Sequence, residues 1–123
     1  MPLTAKICGL SESDQIQTCI NYGASMCGYI LFYPKSHRNL NLDKAKELTS
    51  LKHSKSNVAV MVNPSRVDLE SIKDFNFHYY QIYGILVMHQ NEHIHPKLDN
   101  RHLVIVDSEI LKKCVVQNIL KNP

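Results

Sequence analysis

Five side chains with reactive or ligand-binding groups stand at or near the ends of apolar runs in this sequence of 123 residues. They are a thiol, a guanidinium, two amides and a carboxylate, on Cys8, Arg38, Asn63, Gln81 and Asp107. A thiolate can accept a proton, a carboxylic acid can donate one, and an arginine can hold an anionic group of a substrate. Placed together, these groups would support proton transfer on an anionic substrate.

Each of these residues also has an ordinary structural explanation. Cys8 fits a small buried hydrophobe, Arg38 a solvated surface charge and Asp107 a helix N-cap. Asn63 and Gln81 fit turn and strand-end positions. The choice between the two interpretations depends on whether the fold brings the five side chains together.

A histidine cluster is the other candidate for chemistry. His89, His93 and His95 follow the spacing H-x3-H-x-H, and imidazoles bind divalent metals. No cysteine or second fixed element accompanies them, and the four cysteines of the chain form no C-x-x-C pair. We therefore expect no metal site and no cofactor, and keep a phosphate- or metal-binding module as a third functional hypothesis.

Alternating strands and helices are predicted to position these residues. Apolar runs predict strands over 3–8, 26–32, 58–62 and 77–83, and helical spacing of apolar residues predicts helices over 11–23, 42–51 and 67–72. Nearly continuous apolar runs are typical of parallel strands that are covered on both faces. The order predicts an α/β fold, and the carboxyl ends of its parallel strands would form one rim where the five side chains converge.

The rest of the chain has a less regular pattern. Residues 85–102 are polar, rich in histidine and interrupted by Pro96, whereas 103–106 predict a strand and 108–120 a closing helix. We expect one domain over 1–123, with regular β-α units over 1–84, an irregular segment over 85–102, and a strand and helix over 103–123.

Composition limits the classes of partner. The chain is 44% hydrophobic with a net charge of +3, which is typical of a globular domain. It has no apolar run of about 18 residues for a membrane span, and its first residues do not resemble a secretion signal. No Lys/Arg cluster with interleaved aromatics indicates nucleic-acid binding. We expect a cytoplasmic protein with reduced thiols and no nucleic-acid or membrane partner.

Four motifs, in order along residues 3–84, resemble the phosphoribosylanthranilate isomerase family. They are Lys6-Ile7-Cys8-Gly9-Leu10; Gly28-Tyr29-Ile30-Leu31-Phe32 followed by Ser36-His37-Arg38; Val58-Ala59-Val60-Met61-Val62-Asn63; and Gln81-Ile82-Tyr83-Gly84. The resemblance implies about four units from the amino-terminal half of a (β/α)8 TIM barrel, followed here by an irregular strand-helix tail.

The resemblance also implies a reaction. The family carries out the cofactor-free Amadori rearrangement of N-(5'-phosphoribosyl)anthranilate in tryptophan biosynthesis, which converts an aminoaldose to an aminoketose. By correspondence, Cys8 is the general base, Asp107 is the candidate general acid, and Arg38 faces the anthranilate carboxylate. Asn63 and Gln81 become substrate-binding candidates, and the ligand is a phosphorylated anthranilate-type small molecule.

The sequence departs from the family pattern at several points. His37 and Tyr83 replace a proline and a histidine of the motifs, and no glycine-rich phosphate segment follows. Eight β-α units need about 200 residues or more, and their phosphate-binding loops follow the last two strands. We therefore expect a truncated homologue, inactive alone, such as the product of a degraded or split gene. The alternative hypothesis is an interaction protein, a half-barrel that forms a homodimer or pairs with a separately encoded second half.

Overall fold

A computed structural model describes residues 4–83 and 103–107 of the chain. The elements follow the predicted alternation of strands and helices, with one short extra strand in the loop after β2. Their bounds are β1 Lys6–Ile7, α1 Ser13–Asn21, β2 Met26–Leu31, β3 Asn39–Leu40, α2 Leu42–Thr49, β4 Ser56–Val62, α3 Arg66–Ser71, β5 Tyr79–Tyr83 and β6 Leu103–Asp107.

The strands form one sheet in the order β1-β2-β4-β5-β6, and β3 pairs with β2 beside this path. The first four strands of this path are parallel to one another, with Met26 opposite Ser56 and Val58 opposite Tyr79. Parallel neighbours joined by helical crossovers are the arrangement that continuous apolar runs predict. The predicted α/β fold is confirmed.

The strand β6 runs against the others. It pairs with β5 in the antiparallel sense, so that Tyr83 lies opposite Leu103 and Tyr79 lies opposite Asp107. Its carboxyl end therefore lies beside the first residue of β5 rather than the last. The expectation that every strand in the chain delivers its last residue to one rim is wrong for β6, because the direction of a strand cannot be read from its apolar composition.

The three helices cover one face of the sheet, which we call the outer face. Alternate strand residues point to it, among them Tyr29, Met61 and Ile82, and all three are fully buried. Ile16 of α1 and Leu48 of α2 complete the same cluster. This packing explains why the strands lack polar alternation on their helix-covered side.

Helix ends are fixed by local hydrogen bonds. Asn41 caps α2 by accepting from the Lys44 backbone N–H at 2.8 Å, and Ser65 caps α3 through a reciprocal pair with Asp68. At α1 the N-cap is Glu12, and the Gln15 side chain accepts from the backbone N–H groups of Ser11 and Glu12. These caps satisfy N–H groups that the first helical turn leaves free.

Several predictions lie outside the described residues. They are the irregular segment over 85–102, Gly84, the closing helix over 108–120, and the histidines His89, His93 and His95. Within the described residues, none of the helices is long and apolar enough to cross a membrane.

Candidate functional site

Left-handed residues follow three successive strands at the carboxyl edge of the sheet. They are Gly9 at φ +80°, Phe32 at φ +57° and Asn63 at φ +45°. This conformation costs a non-glycine residue about 1–2 kcal/mol, and only the surrounding structure holds it. The carboxyl edge is therefore the part of the sheet where backbone strain is concentrated.

The backbone of Cys8 packs directly on β2. A Cβ added to Gly28 would lie 3.1 Å from Cys8 Cα, so a side chain at this position would push the Cys8 segment away. The Leu10 N–H then donates to the Gly28 carbonyl at 3.1 Å, which keeps the chain on β2 beyond the end of β1. The Cys8 residue itself is exposed. Gly28 is a positioning residue whose signal in the sequence is a glycine inside an apolar strand.

Arg38 is held against the same turn. Its Nη1 donates to the Gly9 carbonyl at 3.1 Å, and a Cβ on Gly9 would lie 2.7 Å from Arg38 Cδ. The Arg38 backbone N–H donates to Ser36 Oγ at 3.1 Å. The structure therefore brings Cys8 and Arg38 to the same end of the sheet. A guanidinium has five N–H donors, so one bond to Gly9 leaves others available for an anion.

An open groove of about 590 Å³ contains both residues. It runs between the end of β1 and α1, and its polar lining includes Asp14 and Gln15. This volume is within the range of small-molecule sites. The groove also borders the edge of β1 that faces away from β2.

Asn63 and Gln81 form a second group across the sheet. The Asn63 backbone N–H donates to the Tyr83 carbonyl at 2.8 Å, and Gln81 Nε2 donates to the Tyr83 hydroxyl at 2.9 Å. Gln81 is buried and Asn63 is exposed. Because β1 and β5 are three strand positions apart, about 14 Å separates this group from the Cys8 end. Asn63 follows β4 at the carboxyl edge, whereas Gln81 is the third of the five residues of β5.

Asp107 does not join the carboxyl rim formed by the parallel strands. Its backbone pairs with Tyr79 at the amino end of β5, because β6 is antiparallel. Of the five groups expected at this rim, four therefore lie on the parallel strands or the loops that follow them. Two of these, Cys8 and Arg38, are neighbours.

Among residues 4–83 and 103–107, no group of three His, Cys, Asp or Glu side chains could hold a metal ion. The three described cysteines Cys8, Cys19 and Cys27 are free thiols. The groups that the described site offers are thus a thiol, a guanidinium, amides and the Asp14 carboxylate.

No protein-family model matches the chain. Curated proteins named N-(5'-phosphoribosyl)anthranilate isomerase do match it. The one from Sinorhizobium medicae is 40% identical over 73 residues, which are 58% of this chain and 34% of the relative. The one from Streptococcus pneumoniae is 37% identical over 81 residues, which are 64% of this chain and 40% of the relative. The chain spans about a third of the length of the curated relatives it matches.

A solved structure shows the same fold. It is a monomeric form generated from dimeric phosphoribosylanthranilate isomerase of Thermotoga maritima, with a TM-score of 0.59 and 23% identity. The match covers 66% of this chain and 41% of that one. The fold is therefore that of part of a TIM barrel, and the chain resembles the phosphoribosylanthranilate isomerases over half of its length or more.

Proposed function

We propose that this chain carries one side of a phosphoribosylanthranilate isomerase site and belongs to a cytoplasmic enzyme of tryptophan biosynthesis. The observation that carries the proposal is the contact between Arg38 and the Gly9 carbonyl, which fixes a guanidinium beside Cys8 at the carboxyl edge of the sheet. In (β/α)8 enzymes this edge is the place of catalysis. The substrate proposed is N-(5'-phosphoribosyl)anthranilate, which the names of the relatives specify.

The proposed chemistry assigns one task to each of the two residues. In the open-chain protonated imine, Cys8 as a thiolate accepts a proton from the sugar carbon next to the imine carbon. The C–H electron pair becomes the carbon–carbon double bond of the enolamine, and the C=N pair moves onto the nitrogen. Arg38 holds the anthranilate carboxylate through two parallel N–H···O bonds and so orients the sugar toward the sulfur. The exposure of Cys8 and Arg38 leaves room for a ligand between them. Asn63 and Gln81 are proposed to contact the far side of the same substrate.

Asp107 is not the general acid of the proposed site. Asp107, the candidate from the motif pattern, lies beside Tyr79 at the amino end of β5. A proton donor for ring opening must lie within hydrogen-bond reach of the ring oxygen. We therefore expect Asp107→Asn to retain turnover under conditions where Cys8→Ser loses it.

We further propose that these 123 residues alone do not turn over the substrate. The phosphate of TIM-barrel substrates is held by loops that follow the seventh and eighth strands, and the chain spans about a third of its relatives. A test is complementation of a tryptophan auxotroph, by the chain alone and by the chain co-expressed with the remaining β-α units of the Streptococcus pneumoniae relative. Growth is expected only with both parts.

Two variants make this test specific to the site. Cys8→Ser should lower turnover at least about 100-fold, because an alcohol is a far weaker base than a thiolate. Arg38→Met should raise KM about tenfold, because a charged hydrogen-bonded pair is lost. Activity of the Cys8→Ser form equal to that of the unmodified pair would contradict the proposal.

The second candidate is an interaction protein that associates through the free edge of β1. In the described residues β1 pairs with β2 alone, and a groove of about 250 Å³ lies between β1 and the carboxyl end of α1. Ile7 and Tyr22 border this groove and are 40% and 89% exposed. An unpaired strand edge with apolar flanks is a template for another chain, either a second copy or a separately encoded second half.

Size-exclusion chromatography with light scattering distinguishes the two candidates. The interaction hypothesis predicts a dimer that Ile7→Lys and Tyr22→Lys convert to a folded monomer. The control is Val67→Lys, which changes an exposed apolar residue on α3 away from this edge. A folded monomer at all concentrations would contradict self-association, and pulldown with the second-half fragment would then test the other partner.

A further inference from the structure

Lys6 is a cation on the face of the sheet opposite the helices, which we call the inner face. Register places Lys6 opposite Met26, and Gly28 lies two residues further along β2 on the same face. The inner-face residues of β1, β2, β4 and β5 include no acidic side chain. They are Lys6, Met26, Gly28, Ile30, Ser56, Val58, Val60, Val62, Tyr79, Gln81 and Tyr83.

The Lys6 ammonium lies beside Gly28, where the chain around Cys8 packs closely on β2. The point where a Gly28 Cβ would stand is 3.4 Å from Lys6 Nζ and 3.1 Å from Cys8 Cα. The ammonium and the cysteine backbone are therefore neighbours. With Arg38 bonded to the Gly9 carbonyl, Cys8 has a cation on each side.

The Lys6 ammonium forms no ion pair or hydrogen bond with the described residues, in contrast to Lys44, which pairs with Glu12 and Glu47. Lys6 is half-buried, and Met26 lies opposite it on β2. Among the described strands Asp107 is the acidic residue, and β6 lies four strand positions from β1, about 19 Å at the usual spacing. No acidic group of the described residues neutralises the Lys6 ammonium, so an anion beside it would gain a charge-assisted hydrogen bond.

We propose that Lys6 binds an oxyanion of the ligand, a carboxylate or a phosphate, next to Cys8. The inference rests on the proposed function for the nature of the ligand, but the site is defined by this chain's own residues. Lys6 would be a binding and specificity residue that acts with Arg38 on an anionic substrate. A side chain at position 28 would press on the Cys8 backbone and on Lys6 Nζ, so Gly28 is what allows the two to lie close together.

Binding of two probes to the unmodified chain tests the proposal. Inorganic phosphate and anthranilate are titrated separately, and limiting acetylation followed by peptide mass spectrometry measures the reactivity of each lysine. At least one probe should lower the acetylation rate of Lys6 about fivefold or more. Exposed Lys46 on α2 should not change. The probe that protects Lys6 identifies the oxyanion as phosphate or carboxylate.

Three variants separate charge from packing. Lys6→Met keeps the apolar stem and should weaken probe binding about tenfold, Lys6→Arg should stay within about threefold, and Lys46→Met should have no effect. Unchanged binding by Lys6→Met, or no protection of Lys6 by either probe, would overturn the proposal. If Lys6→Met fails to fold, protection in the unmodified chain decides.

These readouts are independent of turnover. Loss of isomerase activity in Cys8→Ser tests the proposed reaction, whereas protection of Lys6 tests the anion site. An inactive pair of fragments with a protected Lys6 would refute the reaction and keep the site. An active pair of fragments with an unprotected Lys6 would support the reaction and refute the anion site.

Discussion

At the scale of single residues, glycines rather than charged groups determine how Cys8 and Arg38 meet. Gly9 has a left-handed backbone and lies against the Arg38 side chain, and Gly28 lets the Cys8 backbone approach β2. Both positions would be strained or crowded by any other residue. The site therefore depends on the absence of a Cβ atom at Gly9 and Gly28 as much as on the thiol and the guanidinium.

Gly9→Ala should destabilise the fold by about 1–3 kcal/mol, from a left-handed alanine and a Cβ 2.7 Å from Arg38 Cδ. Gly23→Ala is a matched control, since Gly23 has φ +95° and nothing within 4 Å of its Cβ position. In a double-mutant cycle measured by urea unfolding, Arg38→Ala should relieve part of the cost at Gly9 and none at Gly23. Equal relief at both glycines would contradict the proposed Gly9–Arg38 contact.

A second residue-scale consequence concerns alkaline pH. Burial raises the pKa of the Cys27 thiol above its ordinary 9.0, and Cys19 nearby adds to the shift. Burial also raises the pKa of the Tyr29 hydroxyl above 10.0, with Cys27 contributing. Above pH 9 the unfolded chain loses these protons first, so the free energy of unfolding should fall as pH rises, by at most about 1.4 kcal/mol per pH unit for each group.

Urea unfolding at several pH values between 7 and 10.5 measures this slope. Tyr29→Phe and Cys27→Ala should each make it shallower, because each removes one titrating group from the core. Leu48→Ala lowers stability without removing a titratable group and should keep the slope. A slope unchanged in both Tyr29→Phe and Cys27→Ala would contradict the assignment.

At the scale of elements, the amino ends of the strands are tied together by a buried polar network. The Tyr29 hydroxyl donates to Asn57 Oδ1 at 3.2 Å, and Asn57 Nδ2 donates to the Asn76 carbonyl at 3.0 Å. The Asn57 backbone N–H donates to His78 Nδ1 at 2.9 Å. This network joins β2, β4 and the segment before β5 on the side of the sheet that the helices cover. It therefore stabilises the sheet without taking part in the site.

Asn57→Ala should cost about 2–4 kcal/mol in the free energy of unfolding. The variant leaves the Asn76 carbonyl and the Tyr29 hydroxyl without their partner in a buried environment. Asn21→Ala is the control, because Asn21 also accepts a side-chain hydrogen bond but is exposed, and should change stability by less than about 0.5 kcal/mol. Similar losses for the two variants would show that burial of the network does not matter.

At the scale of the whole molecule, the direction of β6 decides which groups share an edge. Four parallel strands carry Cys8, Asn63 and Gln81 toward one edge, and the loop after β2 adds Arg38. The antiparallel β6 returns along β5 and carries Asp107 back toward the amino end. The sheet is therefore part of a barrel to which a strand of opposite direction has been added.

Nuclear Overhauser effects between backbone protons test this topology. Antiparallel pairing places some facing α-protons of two strands close together, and parallel pairing does not. Contacts between α-protons are expected for alternate pairs of the β5–β6 register, such as Ile82 with Val104 or Gln81 with Ile105, and not between β4 and β5. Contacts between β5 and β6 that fit parallel pairing would instead place Asp107 at the carboxyl rim.

The sequence by itself determined the elements, the α/β class and the resemblance. Apolar runs and periodic spacing show which faces of an element are buried. This pattern can be read from consecutive residues, such as Val58 to Val62, without knowing what packs against them. Caps and exact bounds differed by a residue or two, as at Glu12 and Thr49, because competing local hydrogen bonds decide helix ends. The tertiary structure alone decided that Cys8 and Arg38 meet through Gly9 and that Asp107 lies elsewhere. Strand order, direction and close packing depend on contacts between residues far apart in the chain, and no spacing along the sequence encodes them.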